Sequence, residues 1–234
     1  MLSGAARWCV IEGDARHVLA DVDPAAFGVV VTDPPYGIAY ASGSESTAEW
    51  AGRQIANDGD TAARDTVLAM LPGVPALVFG AWSVAPPAGT RAALVWDKGP
   101  ALGMGALDLP WKPSFEMLFV VGHGFAGYRD GAVLAHPPVQ SLTRNGRLHP
   151  NEKPVGLFTR HLLPKCPPGV VLDPFCGSGS CGVAALRSGL SYVGIEIDPS
   201  WAAVARERLA AEEAGSTLTA RRDGQVALFG TPVK

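Results

Sequence analysis

Two short segments of this sequence carry residues that could do chemistry. The first is 170–179, Val-Val-Leu-Asp-Pro-Phe-Cys-Gly-Ser-Gly: an apolar run, an acid, then a turn with Gly177 and Gly179 that opens onto helix-forming residues. Glycines let a backbone come close to a ligand, and the first turn of a helix offers unpaired N–H groups. The next apolar run ends in Glu196, and a carboxylate after the second strand is placed to take both hydroxyls of an adenosine ribose. Gly177, Gly179 and Gly182 also satisfy G-x-G-x-x-G, so a dinucleotide fingerprint and an ordinary tight turn stay open. Asp173-Pro174-Phe175, between the strand and the first glycine, departs from the dinucleotide form, in which glycine follows the strand directly.

The second segment is Asp33-Pro34-Pro35-Tyr36, delivered by the run Val-Val-Val-Thr at 29–32. Two prolines stop a strand ladder and stiffen the turn behind it. An exocyclic amino nitrogen is a poor nucleophile because its lone pair is delocalised into the base ring. Two acceptors holding its two N–H groups draw it toward tetrahedral geometry, and the Asp33 carboxylate and the Pro34 carbonyl suit that task. Tyr36 can stack on a base that has left its helix. The bland alternative is a rigid turn with a solvated acid.

With both segments in one chain, the sequence resembles the amino-methyltransferases of DNA, specifically their permuted β group. There the Asp-Pro-Pro-Tyr segment precedes the glycine loop, as here at 33 and 173. Phe175, Gly177 and Gly179 match the F-x-G-x-G of the S-adenosylmethionine loop. Glu12-Gly13-Asp14, with Leu19 downstream, is similar to the segment whose acid contacts the cofactor adenine, a role that falls to Asp14. His149-Pro150-Asn151-Glu152-Lys153-Pro154 is similar to the segment before the glycine loop, whose His and Lys line the cofactor pocket. Asn151 departs from the Thr or Gln common there. Trp96-Asp97-Lys98 and Ser114-Phe115-Glu116 have the look of small phage-type members.

The resemblance implies S-adenosyl-L-methionine as cofactor, held by Asp14, His149, Lys153, Asp173, Phe175, Gly177, Ser178, Gly179 and Glu196. It implies methyl transfer by Asp33, Pro34, Pro35 and Tyr36 to a flipped base of double-stranded DNA, with no metal. Asp at position 33 resembles the adenine-N6 members, whereas cytosine-N4 members more often have Ser; the acceptor chemistry serves either amine, so cytosine-N4 is the alternative. A binding module without catalysis, a dinucleotide oxidoreductase and an amino-methyltransferase of RNA or protein, which more often has Asn at 33, are the rival classes. The family's target-recognition insert is reduced here to loops, 102–111 and 124–147, the latter with Tyr128, Arg129, Arg144 and Arg147. Arginine reads guanine or grips phosphate, and a solvated basic loop is the bland reading.

These loops need a scaffold. Apolar runs of strand length recur at 8–11, 29–32, 76–79, 92–96, 116–121, 170–172 and 192–197, with helix-like stretches at 62–71, 154–163, 182–188 and 200–214. In the last, Trp201, Val204, Ala205 and Leu209 share a face. This alternation predicts an α/β, Rossmann-like fold: a mostly parallel seven-stranded sheet with helices on both faces, its motifs in circularly permuted order. The run at 170–172 is expected beside that at 29–32, and 91–97 with 114–122 as an antiparallel pair at one edge. Residues 1–214 read as one methyltransferase domain, with loops 37–60 and 102–148 as lid and target-recognition candidates.

Residues 215–234 read as a tail. Its Gln225-Val226-Ala227-Leu228-Phe229 resembles the short motif by which bacterial DNA-processing proteins hold the sliding clamp, Leu228 and Phe229 filling an apolar pocket. Docking of Leu-Phe on the protein's own core is the plain alternative. A homodimer is the remaining partner state left open.

At 234 residues the chain fits one α/β domain and little more. A net charge of −3 suits a nucleic-acid partner poorly, yet six Lys or Arg against two acids fall between 129 and 165, so a basic segment sits on an acidic body. Cys9, Cys166, Cys176 and Cys181 form no metal set and read as free, mostly buried thiols. No run reaches the roughly 18 apolar residues of a membrane span, and residues 1–13 lack the pattern of a secretory signal. The expected compartment is the cytoplasm.

Overall fold

A computed structural model describes residues 6–37, 58–100, 108, 110–112, 114–139 and 152–217. His149, Arg144 and Arg147 lie outside the described residues, as do most of the lid segment, much of the recognition loops and the clamp-like motif at 225–229.

Strand β2 (Val29–Thr32) is buried along its whole length. That is the mark of a strand inside a parallel sheet covered on both faces. Its neighbours are β7 (Val170–Asp173) and β3 (Ala76–Gly80), both parallel to it. Beyond β7 come β8 (Ser191–Glu196) and β1 (Trp8–Glu12), also parallel. On the other side β5 (Phe115–Val121) runs antiparallel to both β3 and β4 (Thr90–Asp97). The strand at 170–172 thus lies where the sequence puts it.

The sheet has eight strands rather than the seven expected, in the order β1-β8-β7-β2-β3-β5-β4-β6. The extra one, β6 (Val133–Ala135), pairs parallel to β4 and covers what would have been its open edge. Three residues are too few for alternation to betray a strand. Pairing holds β6 instead: the His136 amide donates to Asp97 O, and the buried Trp96 indole donates to His136 O at 2.7 Å.

Period-two alternation divides the core. Val29 and Val31 with Leu77 and Phe79 point to one cluster, and Val30 with Ala76 and Val78 to the other. The second cluster is covered by residues of α1 (Ala15–Val18) and α2 (Ala62–Ala69). The first is covered by α3 (Val155–Leu157) and its continuation, by α4 (Ser180–Arg187) and by α5 (Pro199–Glu213).

The expected helix at 154–163 is not regular. After α3 the chain widens to a π turn over Phe158–Leu162 and tightens to a 3-10 turn over Leu163–Lys165. Pro164 explains it, having no N–H to donate and a ring that would collide with the preceding turn of an α-helix. In α5, capped by Asp198, the fully buried positions are Ala202, Ala205, Leu209 and Ala211, while Trp201 and Val204 are half-buried. The apolar face is therefore turned toward the small residues, which let the helix approach the sheet closely. Among the described residues no helix is long and apolar enough to cross a membrane.

Gly182 shows how close that approach is. A Cβ there would stand 2.7 Å from the Tyr192 ring and 2.8 Å from Leu209 Cδ2. Tyr192 is itself fully buried on β8 and has nowhere to retreat. The third glycine of the G-x-G-x-x-G pattern is thus explained by helix–sheet packing. Gly182→Ala is expected to cost about 1–3 kcal/mol by overpacking, read as a lower urea midpoint at unchanged slope.

Candidate active site

Because β2 and β7 are parallel neighbours, the loops after Thr32 and Asp173 leave the same edge of the sheet. Thr32 Oγ1 donates to Asp173 Oδ1 at 2.7 Å, both residues being buried. The Phe175 amide donates to the same oxygen at 3.3 Å, and Tyr192 Oη to Oδ2 at 3.4 Å. Burial pushes the Asp173 carboxyl up to about 7, opposed by the Thr32 hydroxyl and the Phe175 amide. Asp173 therefore braces the glycine loop from beneath.

Above it, Gly177 and Gly179 have φ of 49° and 81°, in the left-handed region. A Cβ on Gly179 would sit 3.2 Å from Ala205 Cβ, whereas one on Gly177 would meet nothing within 4 Å. The loop is packed on one side and open on the other. Glu196 Oε2 accepts from the Gly177 amide at 2.7 Å and Oε1 from the Asp198 amide at 3.0 Å. Burial raises the Glu196 carboxyl and these amides oppose the rise. The Gly13 amide donates to Glu196 O at 2.8 Å, bringing the turn after β1 alongside. There Asp14 caps α1 by accepting from the Arg16 amide, and it pairs with the Arg16 guanidinium at 2.5 Å. Phe175 is half-buried against the second core cluster. Ser178 is buried under Arg208, whose guanidinium donates to Ser178 O and Oγ and to Ser180 Oγ. The same guanidinium pairs with Glu152 at 2.6 Å.

The Asp-Pro-Pro-Tyr turn holds a charge network. Asp33 Oδ1 accepts from Tyr36 Oη at 2.6 Å and Oδ2 from Lys153 Nζ at 2.6 Å. Glu116 Oε2 lies 3.1 Å from Tyr36 Oη and 3.1 Å from Lys153 Nζ, and its Oε1 pairs with Lys98 at 2.5 Å. Lys153 is buried, with its ammonium 5.5 Å from the Tyr36 ring centre and 5.2 Å from that of Phe79. Burial works against its charge, but Asp33 and Glu116 outweigh burial and raise its pKa. Burial pushes the Asp33 carboxyl up and Lys153 opposes it. Tyr36 is raised well above its ordinary value by burial and by the two acids, so it stays a neutral donor. Just beyond, the Gly37 amide donates to Asp58 Oδ1 at 2.8 Å, so the two ends of the 37–58 segment are fastened together.

The structure therefore brings together Asp33, Tyr36, Lys153, Asp173, Gly177 and Glu196 along one edge, with Pro34 buried in the turn. Lys153, which the resemblance assigns to the cofactor pocket, is paired with Asp33 at 2.6 Å. Arg129 is not brought to this edge. Strand β5 ends at Val121, opposite the first residues of β3 and β4, and the following loop packs on Lys165 through the Ala126 amide and the Asp130 carboxylate. Arg129 is thus exposed toward the far end of the sheet. Lys98 and Glu116 stand in segments noted in the sequence only as family-like, without a role, and Arg208 was not singled out. The signal for the first two was present, since pairing 91–97 with 114–122 places the end of one strand against the start of the other.

Residues 95–207 match the DNA methylase family model. The chain is 28% identical to YubD, named as a methylase, of Escherichia coli strain K12, over 91% of this chain and 95% of that one. It is 39% identical to the DNA adenine methyltransferase YhdJ of the same strain over 34% of this chain, a match spanning 27% of YhdJ. Among solved structures, the M1.HpyAVI–SAM complex superposes with a TM-score of 0.58 at 19% identity, covering 86% of this chain and all of that one. The cytosine-N4-specific PvuII DNA methyltransferase gives 0.61 at 14% identity, covering 86% of each. At these identities the two structures speak for the fold.

Asp173 yields a prediction on stability. A carboxyl whose folded pKa lies near 7 against an ordinary 3.8 loses stability as pH rises through that window, and the cost is complete above it. Asp173→Asn keeps an acceptor for Thr32 but cannot ionise. It is expected to stabilise the protein by on the order of a few kcal/mol at about pH 8 and to be near neutral below about pH 4. Thermal melts at the two pH values check this; an equal shift at both would contradict it.

Proposed function

We propose that this chain is an amino-methyltransferase of DNA, a reading supported by the DNA methylase family match over residues 95–207 and the similarity to YubD, and that it uses S-adenosyl-L-methionine to methylate N6 of an adenine flipped out of double-stranded DNA. The observation that carries the reading is the side-by-side exit of the two loops, pinned by the Thr32–Asp173 hydrogen bond. It sets an acceptor for an amine next to a loop shaped for a ligand's close approach.

The residues on the open side of that loop fit an adenosine-bearing cofactor. Gly177 leaves room where any side chain would intrude, and the half-buried Glu196 carboxylate keeps lone pairs for ribose hydroxyls beyond its two amide bonds. Asp14, one strand further, is the candidate for the adenine end. When bound, the cofactor supplies an electrophilic methyl group. Gly179 holds the start of α4, and Asp173, Phe175 and Ser178 hold the loop in shape from the core side.

Asp33 and the Pro34 carbonyl take the two N–H groups of the target amine and orient its lone pair. Pro35 keeps the turn stiff, and Tyr36 provides the aromatic surface for the extruded base. Lys153 holds the Asp33 carboxylate before substrate arrives. Asp at position 33 and the similarity to YhdJ, named as a DNA adenine methyltransferase, support adenine over cytosine.

Two measurements test this. Methylation mapping of DNA from cells making the protein should show N6-methyladenine in a fixed sequence context. N4-methylcytosine alone would move the reading to cytosine, and no new methylation would end it. In vitro, Asp33→Ala is expected to lower turnover by about 10²–10³-fold or more while sparing cofactor affinity. Glu196→Ala should instead weaken cofactor binding by about 1.5–3 kcal/mol through lost charge-assisted hydrogen bonds. Full turnover in the Asp33 variant would remove the acceptor mechanism.

A further inference from the structure

In the arrangement described above, Asp33 is occupied by its own neighbours. Tyr36 takes one carboxylate oxygen and Lys153 the other, each at 2.6 Å. Each oxygen keeps a further lone pair, but an arriving amine must share the carboxylate with a buried ammonium. Charge-assisted hydrogen bonds are about twice as strong as neutral ones, so the amine is held more firmly when the ammonium has another partner to lean on.

Both donors already have a second acceptor within reach, and it is the same atom. Glu116 Oε2 stands 3.1 Å from Tyr36 Oη and 3.1 Å from Lys153 Nζ. From this juxtaposition we propose that Glu116 is a positioning residue that receives the Tyr36 hydroxyl and the Lys153 ammonium as the target amine takes over Asp33. The inference rests on the methyltransferase reading given above and deepens it.

Three features favour an exchange over a fixed scaffold. The distances are unequal: 2.6 Å to Asp33 against 3.1 Å to Glu116 leaves room for the second pair of bonds to shorten to about 2.8 Å as the first lengthens. Glu116 is kept ready as an anion, since burial pushes its carboxyl up but Lys153 and Lys98 outweigh burial and bring it to about 2. The four charged groups, Asp33, Glu116, Lys98 and Lys153, also cancel. Moving Lys153 between its partners therefore needs no proton transfer and strands no buried charge, the costly outcome when one half of a buried pair is removed. With Glu116 gone, Lys153 could leave Asp33 only for an unpaired state, and the ammonium would stay as a competitor of the amine.

The test uses the full-length protein, unmethylated plasmid DNA and a radiolabelled methyl donor under single-turnover conditions. Glu116→Gln is isosteric and uncharged. Its single-turnover rate is expected to fall by about ten- to a hundredfold, with unchanged affinity for S-adenosylhomocysteine and a lower melting temperature, because Lys98 and Lys153 lose a charge partner. The acid limb of the pH–rate profile should move to lower pH, because the Glu116 charge is one of the influences that raise the Asp33 carboxyl. Glu116→Asp should recover most of the rate. A Glu116→Gln enzyme with the wild-type rate and acid limb overturns the proposal. So does one in which rate and cofactor affinity fall together without recovery in Glu116→Asp, which is the signature of a merely structural ion pair. Failure of the underlying reading looks different: wild-type protein that methylates no DNA, or Asp33→Ala that methylates as fast as wild type.

Discussion

The hydrogen bond from Thr32 to Asp173 joins the last residues of two parallel strands, and the functional edge of the molecule is organised around it. Parallel pairing makes both chains leave the sheet at one end. The hydrogen bond makes them leave at one level. A slip of a single residue between β2 and β7 would move Thr32 about 3.3 Å along the strand relative to Asp173 and break the bond. The same register sets the valines of β2 against their partners in the core. Core packing and site geometry are therefore one constraint, and the raised Asp173 carboxyl is its electrostatic cost.

That constraint accounts for what could be read from the sequence. Strands such as β2 announced themselves because burial on both faces leaves an unbroken apolar run, and the two loops followed because glycine and proline mark turns by their chemistry. Strand β6 did not, since three residues held by pairing to β4 carry no pattern of their own. The irregular turns after α3 hid behind good helical periodicity, with Pro164 the one residue that betrays them. Lys153 stood out in the sequence, but its partner did not. The pair with Asp33 joins residues 120 positions apart, a matter of topology that local pattern does not encode. Glu116 and Lys98 were legible only as words; their meaning comes from the antiparallel register that sets Trp96 against Glu116.

Electrostatics within the site is local rather than global. The chain carries a small net negative charge, yet the described residues around Asp33 pair two carboxylates with two ammonium groups. Arg208 extends the pairing to the glycine loop, touching Ser178 and Ser180 on one side and Glu152 on the other. Glu152 adjoins Lys153 in the chain. A short covalent and ionic path thus runs from the glycine loop to the lysine that holds Asp33.

The fastening of Gly37 to Asp58 has a consequence for how such a protein can diversify. The Gly37 amide and the buried Asp58 carboxylate close the base of the intervening chain at 2.8 Å. Gly37 has a φ of 72°, and a Cβ there would stand 2.7 Å from the Asp60 backbone. The base is thus closed by residues at its two ends. Closing a loop costs entropy that grows only with the logarithm of its length, about 0.6 kcal/mol for each doubling. The anchor therefore works as an insertion point, where a change in chain length beyond Gly37 adds little to the cost of holding Asp33 and Tyr36 in place.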